Sequence, residues 1–126
     1  MRAMRYPQLL VYEGDGRLAA QLRPLAEEKR WALRELRQPE ACLRLLGRGR
    51  PDVLVLKMGR DLEREMALLD RVSWAHPATA TVVVSETDHP GLAGLAWDLG
   101  AAYVLLPSAP RDSLPEIVGG LLGALE

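Results

Sequence analysis

Short uninterrupted apolar runs alternate along this chain with longer stretches in which apolar residues recur every three or four positions. A continuous run of about four to eight apolar residues is typical of a strand buried on both faces, and the wider spacing is typical of a helix with one buried face. The runs occupy residues 9–12, 31–33 with Leu36, 53–56, 81–84 and 102–106. The alternation therefore predicts successive strand–helix units.

Right-handed crossovers between such units place helices on both faces of a parallel sheet. We predict an α/β fold of three layers (αβα), with a doubly wound five-stranded parallel sheet. The second run, 31–36, has mixed composition, which favours an edge position. Residues 8–126 are predicted to form one domain after an N-terminal tail of residues 1–7, because 126 residues leave little room for a second domain.

The composition argues against a nucleic-acid-binding protein, a membrane protein and a disulfide-bonded protein. The formal net charge is −1, and no basic run is present, so we expect no nucleic-acid partner. The apolar runs are too short to span a membrane or serve as a signal peptide, so we expect a cytoplasmic protein without a membrane partner. The single cysteine, Cys42, excludes an internal disulfide and is expected to pack on a helix.

Ligands of open parallel sheets bind at the carboxyl ends of the strands, beside the first strand. The residues that follow the apolar runs are therefore the candidates for a site. They are residues 13–15, 57–59, 85–87 and 106–107.

Three segments resemble the receiver domain of bacterial response regulators, the CheY-like family. Residues 9–15 resemble its first strand and acidic pair ("ILVVDDD"), 51–56 its third strand, and 99–107 its "AGADDYLLKP" segment. The resemblance extends from about Gln8 to Glu126. It implies the flavodoxin-like strand order 2-1-3-4-5.

The resemblance also implies phosphoryl transfer from a kinase histidine to an aspartate at the end of the third strand. That reaction needs a nucleophilic carboxylate, and a Mg²⁺ ion held by the acidic pair to neutralise the phosphoryl charge. A Ser or Thr after the fourth strand and a Lys after the fifth hold the phosphoryl oxygens, and an aromatic residue before that Lys acts as a switch.

Position by position, most of this machinery is missing. Lys57 stands at the phosphoacceptor position, Glu13 and Gly14 at the acidic pair, and Leu106 at the lysine position. Only Ser85 at the hydroxyl position, Tyr103 at the switch position and Pro107 after the fifth strand fit the pattern. We therefore expect a degenerate pseudo-receiver with no catalytic residue, no metal and no cofactor, and hence not an enzyme.

Lys57 has two interpretations. In the first, its ammonium pairs with Glu13 and takes the place of the metal; in the second, the site has drifted and Lys57 reaches solvent. A buried ammonium must be paired, because an isolated buried charge costs several kcal/mol. The first interpretation predicts Lys57 Nζ within hydrogen-bond distance of Glu13 or Asp15. Asp52 and Asp61 are weaker substitutes for the phosphoacceptor, since Asp52 opens its strand and Asp61 is placed to cap a helix.

Ser85 and Tyr103 could form a two-state couple, although a buried or half-buried tyrosine with a satisfied hydroxyl is the alternative. Trp97 lies outside the apolar stripe of the fourth helix, so we expect it to be exposed. With Tyr103 and the fifth helix it would contribute to the face that receiver domains use for dimerisation and partner docking, so the resemblance implies a protein partner or a homodimer there.

These observations predict a receiver-like docking module for signal transduction that works without phosphorylation. Two alternatives remain open. One is a phosphorelay receiver with a non-standard acceptor, and the other is a small-molecule sensor at the carboxyl-end crevice.

Overall fold

The computed structural model describes residues 6–49, 51–89, 91–110 and 112–123. Five parallel strands form one sheet in the order β2-β1-β3-β4-β5. The strands are β1 (Gln8–Tyr12), β2 (Ala32–Leu36), β3 (Val53–Met58), β4 (Ala80–Ser85) and β5 (Tyr103–Leu105). The predicted fold class and strand order are confirmed, and β2 lies at an edge as its composition indicated. The last strand is shorter than the predicted 102–106.

A helix follows each strand. The helices are α1 (Arg17–Lys29), α2 (Pro39–Gly49), α3 (Leu62–Ala75), α4 (Leu92–Asp98) and α5 (Ser113–Gly123). The α1 helix continues through Pro24, although a proline removes one helical hydrogen bond. Asp61 caps α3, since its side chain accepts a hydrogen bond from the Arg64 N–H at 3.3 Å. That capping role is the one predicted for Asp61.

The two faces of the sheet carry separate cores. Alternate residues of β1 and β3 point to opposite faces, as the two-residue period of a strand requires. Leu9, Val11, Val53 and Val55 pack with α1 and α5. The other face packs on α2, α3 and α4, and Cys42 is fully buried there, as predicted. Burial raises the pKa of its thiol to about 12, which favours a packing role.

The chain reverses tightly after α4. Gly100 has a φ of 107°, and a Cβ at this position would overlap the side chain of Ser73 on α3. A glycine is therefore required both by the backbone conformation and by the close approach of α3. This turn brings the chain directly into β5.

Some predictions concern residues beyond the described part. The N-terminal tail is described only at Tyr6 and Pro7, and the end of the predicted domain, 124–126, lies outside the described residues. Within the described ranges, no helix has the length and apolar character needed to cross a membrane.

Candidate functional site

A charged cleft lies at the carboxyl ends of β1 and β3, where the strand order reverses. Its volume is about 330 Å³. The lining residues are Tyr12, Glu13, Gly14, Asp15, Arg37, Lys57, Met58, Arg60, Asp61, Arg64, Glu65 and Glu86. The cleft thus combines residues at or after the ends of β1, β2 and β3 with one that follows β4, as expected for a parallel sheet of this topology.

Lys57 projects from the end of β3 between two carboxylates. Its Nζ atom donates hydrogen bonds to Asp15 Oδ2 at 2.9 Å and Oδ1 at 3.1 Å, and it lies 3.1 Å from Glu86 Oε1. The Lys57 side chain is only 13% exposed. The predicted hydrogen bond to Glu13 or Asp15 is confirmed for Asp15, and a drifted lysine extended into water is contradicted.

Glu13 is not the partner of Lys57, so that part of the prediction is wrong. It is buried, and its two carboxylate oxygens accept hydrogen bonds from the N–H groups of Leu18 and Ala19, each at 2.8 Å. These N–H groups begin α1, where the backbone has no helical acceptor and the helix dipole favours negative charge. Gly16, at the cap position, has no side chain to serve them. Glu13 therefore caps α1 from a distance.

Glu86 is a second partner of Lys57 that could not be singled out from the sequence. It follows β4 directly, and its backbone N–H donates to the Met58 carbonyl at 2.8 Å. This bond holds the start of the β4–α4 loop against the end of β3. The available signal was its place after a buried strand, but sequence alone did not show which way its side chain turns.

The pKa values of the pair reflect these contacts. The hydrogen bond from Lys57, together with the Arg17 N–H, lowers the pKa of Asp15 from 3.8 to about 2. Burial acts to lower the pKa of Lys57, but its bonds to Asp15 and Glu86 outweigh burial and raise it above 10.5.

These shifts set the pH window in which the pair stabilises the fold. The Asp15 contribution is complete above its unfolded pKa of 3.8 and is lost as the pH falls through about 2. The Lys57 contribution is complete below 10.5 and is lost as the pH rises through its higher folded pKa. Because the Asp15 side chain is 41% exposed, screening limits the contribution to about 1 kcal/mol or less.

Gly14, like Asp15 and Glu86, lies beside cationic side chains, in its case those of two arginines. A Cβ at this position would overlap the guanidinium of Arg60, and the Gly14 carbonyl accepts a hydrogen bond from Arg37 at 3.0 Å. The Arg60 guanidinium thus occupies the place where the resemblance puts the side chain of the second metal-binding acid. The end of the Arg60 side chain is flexible, so a larger residue at position 14 would displace it.

The carboxylates of the cleft do not fit a Mg²⁺ site. Asp15 and Glu86 hold Lys57, Glu13 caps α1, and Glu65 Oε1 accepts the N–H groups of Gly59 and Asp61 at 2.9 and 3.3 Å. Mg²⁺ needs oxygen ligands in near-octahedral geometry, and an ammonium already lies between Asp15 and Glu86. Nowhere in the described residues do three or more His, Cys, Asp or Glu side chains form a group suited to a metal ion.

The remaining predicted site residues are not among those that line the cleft. The Ser85 hydroxyl is buried and bonds within its own loop, accepting the Thr87 N–H at 3.1 Å and donating to the Thr87 carbonyl. Leu106 follows β5 and is partly buried, outside the cleft lining. Asp52 opens β3 at the opposite end of the sheet, where it accepts the Gln8 N–H at 2.8 Å.

Tyr103 and Trp97 meet at the surface beside β5. Trp97 is 48% exposed, as predicted, and Tyr103 is 45% exposed, with their ring centroids 6.4 Å apart and tilted by 57°. Tyr103 is exposed, so the alternative interpretation, a buried or half-buried tyrosine with a satisfied hydroxyl, is wrong. The ring lies outward, and the predicted inward turn toward the Ser85 loop stays a prediction.

The fold matches solved receiver domains over almost the whole chain. A response regulator receiver domain of the CheY-like type from Methanospirillum hungatei has a TM-score of 0.81 at 11% identity, covering 95% of this chain and 96% of that one. The signal receiver domain of a Luxo repressor protein from Vibrio parahaemolyticus has a TM-score of 0.80 at 17% identity, covering 95% of this chain and 92% of that one.

A response regulator from Thermotoga maritima has a TM-score of 0.79 at 18% identity, covering 94% of this chain and 99% of that one. No family model matches the sequence, and no curated protein is significantly similar to it. At these identities the likeness shows the fold: the chain has the receiver-domain fold, with the strand order that the resemblance implied.

Proposed function

We propose that this protein is a receiver module of a signal-transduction pathway, that it docks a protein partner without being phosphorylated, and that it catalyses no reaction. The receiver fold supports the signalling class. The observation that carries the independence from phosphorylation is the position of Lys57 Nζ between Asp15 and Glu86.

The chemistry of the site supports independence from phosphorylation. Aspartyl phosphorylation needs a carboxylate nucleophile aligned with the phosphoryl donor and a cation to neutralise the transferred group. The end of β3 instead presents an ammonium that is raised in pKa and hydrogen-bonded on two sides. A protonated amine has no lone pair for attack on phosphorus.

The same contacts would keep one conformation in place. The Lys57 ammonium joins the β1–α1 loop, through Asp15, to the β4–α4 loop, through Glu86. In this proposal the ammonium acts as a permanent cross-link between the two loops. The partner therefore meets a single surface of α4, β5 and α5, whatever the activity of nearby kinases.

The test is incubation of the whole chain with a small-molecule phosphodonor and Mg²⁺, followed by intact-mass measurement. We expect no mass gain corresponding to a phosphoryl group. The matched positive control is the double variant Gly14→Asp with Lys57→Asp, which restores the acids at both positions and should gain the group.

A phosphoryl adduct on any carboxylate of the unaltered chain would overturn the proposal. Fragmentation would then locate the acceptor, and an adduct on Asp61 or Asp15 would favour the phosphorelay alternative. No contact in the cleft favours that alternative over the one proposed.

A small-molecule sensor is a second candidate, because the cleft is not filled. Its volume of about 330 Å³ lies in the range of small-molecule sites. The walls carry Arg37, Arg60 and Arg64 as well as carboxylates, which favours a polar ligand with both signs of charge. A ligand there should shift the amide NMR signals of Gly14 and Gly59, whereas a docking partner on α4 and α5 should not.

A further inference from the structure

Two arginines from different loops approach the same residue of the cleft, Gly14. Arg37, which follows β2, donates a hydrogen bond from Nη1 to the Gly14 carbonyl at 3.0 Å. Arg60, which follows β3, lies so close that a Cβ on Gly14 would overlap its Nη1 atom. Both arginines line the cleft. Two guanidinium groups therefore lie beside one residue of the cleft wall.

Neither guanidinium has a carboxylate partner among the residues that the structure describes. The ion pairs there join other side chains, and none includes Arg37 or Arg60. Glu35 lies near Arg37, but it is bound by Arg23 at 2.6 Å. Glu40, on the first turn of α2, pairs with neither arginine. Two neighbouring cations without an anion repel each other, and an anion bound beside both relieves the repulsion.

The absence of a side chain at Gly14 gives Arg60 its place. The backbone does not need a glycine there, because the φ of Gly14 is outside the left-handed region, unlike that of Gly16. What the glycine provides is room for the guanidinium. Any larger residue at position 14 would displace the end of Arg60 from the cleft wall.

The acids that line the cleft already have partners of their own. They are Glu13, Asp15, Asp61, Glu65 and Glu86. Two of them accept backbone N–H groups, two hold the ammonium, and the fifth caps α3 and lies 3.8 Å from an arginine of that helix. The unmet hydrogen-bonding capacity of the cleft therefore belongs to its donors, above all to the two guanidiniums beside Gly14.

The Tyr12 hydroxyl is a further donor of this kind. The Tyr12 side chain lines the cleft and is 9% exposed, and no described residue forms a hydrogen bond with its hydroxyl. Burial, and then the charge of Glu65, raise the pKa of Tyr12, so the hydroxyl keeps its proton at neutral pH. Met58, which belongs to the same core as Tyr12, adds apolar surface to the cleft.

The overall charge of the cleft limits how negative a ligand can be. Five acids and four bases line it, which gives a formal charge of −1. A ligand with nearly two negative charges, such as a phosphate monoester at neutral pH, is opposed by that charge. A single carboxylate is opposed less, and its two oxygens in one plane match the planar fork of a guanidinium.

We propose that Arg37 and Arg60 bind the carboxylate of a small organic acid with one negative charge. The carboxylate oxygens would accept N–H groups from the two guanidiniums, and the body of the acid would pack on Tyr12 and Met58. The inference rests on the small-molecule candidate above, and it names the ligand group that the cleft selects. An anion is then bound where the resemblance implies Mg²⁺, so the site is inverted in charge.

The experiment is an NMR titration of the whole chain at neutral pH with sodium acetate, hexanoate and benzoate, each at constant ionic strength. With at least one of these acids we expect saturable shifts of the Gly14 amide and of the Arg37 and Arg60 Nε–H signals. Benzamide, which has the shape of benzoate without its charge, should produce neither shift. A repeat at higher ionic strength should show weaker binding, because exposed charges are screened.

Substitutions separate this site from a general attraction to arginines. Arg60→Ala should weaken the tightest of the three acids by about tenfold or more, because a hydrogen bond between charged groups is lost. Gly14→Ala should weaken it without changing any charge, because the new Cβ displaces the Arg60 guanidinium. Arg44→Ala is the matched control: Arg44 is an exposed arginine on α2 outside the cleft lining, and its removal should change affinity by less than about twofold.

Three results would overturn the inference: no saturable shift with any of the three acids, equal binding of benzamide and benzoate, or equal losses for Arg60→Ala and Arg44→Ala. Tighter binding of inorganic phosphate than of every carboxylate would overturn it in favour of a phosphate ligand. The titration forms no covalent bond, so the phosphodonor experiment can fail or succeed independently of it. A ligand of another class would still shift the Gly14 and Gly59 amides, but without dependence on Arg60.

Discussion

The double variant Gly14→Asp with Lys57→Asp is expected to bind Mg²⁺, which the unaltered chain is not. The two substitutions remove the ammonium from Asp15 and Glu86 and add two carboxylates, so that oxygen ligands replace a cation at the centre of the cleft. At a Mg²⁺ concentration ten times the dissociation constant, binding should raise the free energy of unfolding by about 1.4 kcal/mol.

The measurement is urea denaturation with and without MgCl₂ at constant ionic strength. Mg²⁺ should raise the free energy of unfolding of Lys57→Asp alone by less than that of the double variant, because Gly14 still offers no ligand. Adding Arg60→Ala should strengthen binding further, since the guanidinium of Arg60 lies where the position-14 side chain must go. If Mg²⁺ stabilises the single and double variants equally, the assignment of Gly14 to the acidic pair is contradicted.

Removing the distant cap of α1 is expected to have the largest effect on stability. Glu13→Ala deletes two charge-assisted hydrogen bonds and leaves the N–H groups of Leu18 and Ala19 buried without acceptors. Losses of a helix cap and of a buried hydrogen-bond partner are each about 1–2 kcal/mol. We expect the free energy of unfolding to fall by about 2–3 kcal/mol.

Urea denaturation at neutral pH checks this value. Glu13→Gln should lose less than Glu13→Ala, because the amide oxygen can still accept one of the two bonds while its NH₂ group cannot. Asp15→Asn serves as the matched control: Asp15 is half-exposed, and its loss should cost about 1 kcal/mol or less. If Glu13→Ala costs no more than Asp15→Asn, the capping role is wrong.

The layers and the strand order could be predicted from the sequence, because they depend on features that act locally. Apolar runs such as 53–56 and the leucine spacing of the helices reflect burial, and the structure buries β3 accordingly. The edge position of β2 followed from its mixed composition. The length of β5 could not be predicted, since apolar residues such as Leu106 continue beyond the point where the strand ends.

The candidate site was predicted only in part, because side-chain partners depend on three-dimensional direction. The bond between Lys57 and Asp15 followed from their strand-end positions and opposite charges. Glu13 satisfies the same two criteria, yet it turns toward the α1 backbone, where the cap residue Gly16 has no side chain. A missing cap is visible in the sequence, but the residue that compensates for it depends on the loop path.

The direction of the Glu86 side chain could not be predicted from the sequence either. Its place after β4 was evident, but many residues after strands face solvent. Only the register of β3 with β4, which pairs Met58 with Ser85, brings the Glu86 carboxylate to Lys57. A tight backbone approach adds to this, since a Cβ on Gly59 would lie 2.8 Å from the Cβ of Glu86.

The position of the Lys57 ammonium can be measured most directly by carbon-detected NMR titration of the Asp15 carboxyl group. In the unaltered chain the pKa should be about 2, and in Lys57→Met it should rise toward the ordinary value of 3.8. A pKa of Asp15 near 3.8 in the unaltered chain, or the same low value in both proteins, would contradict the account.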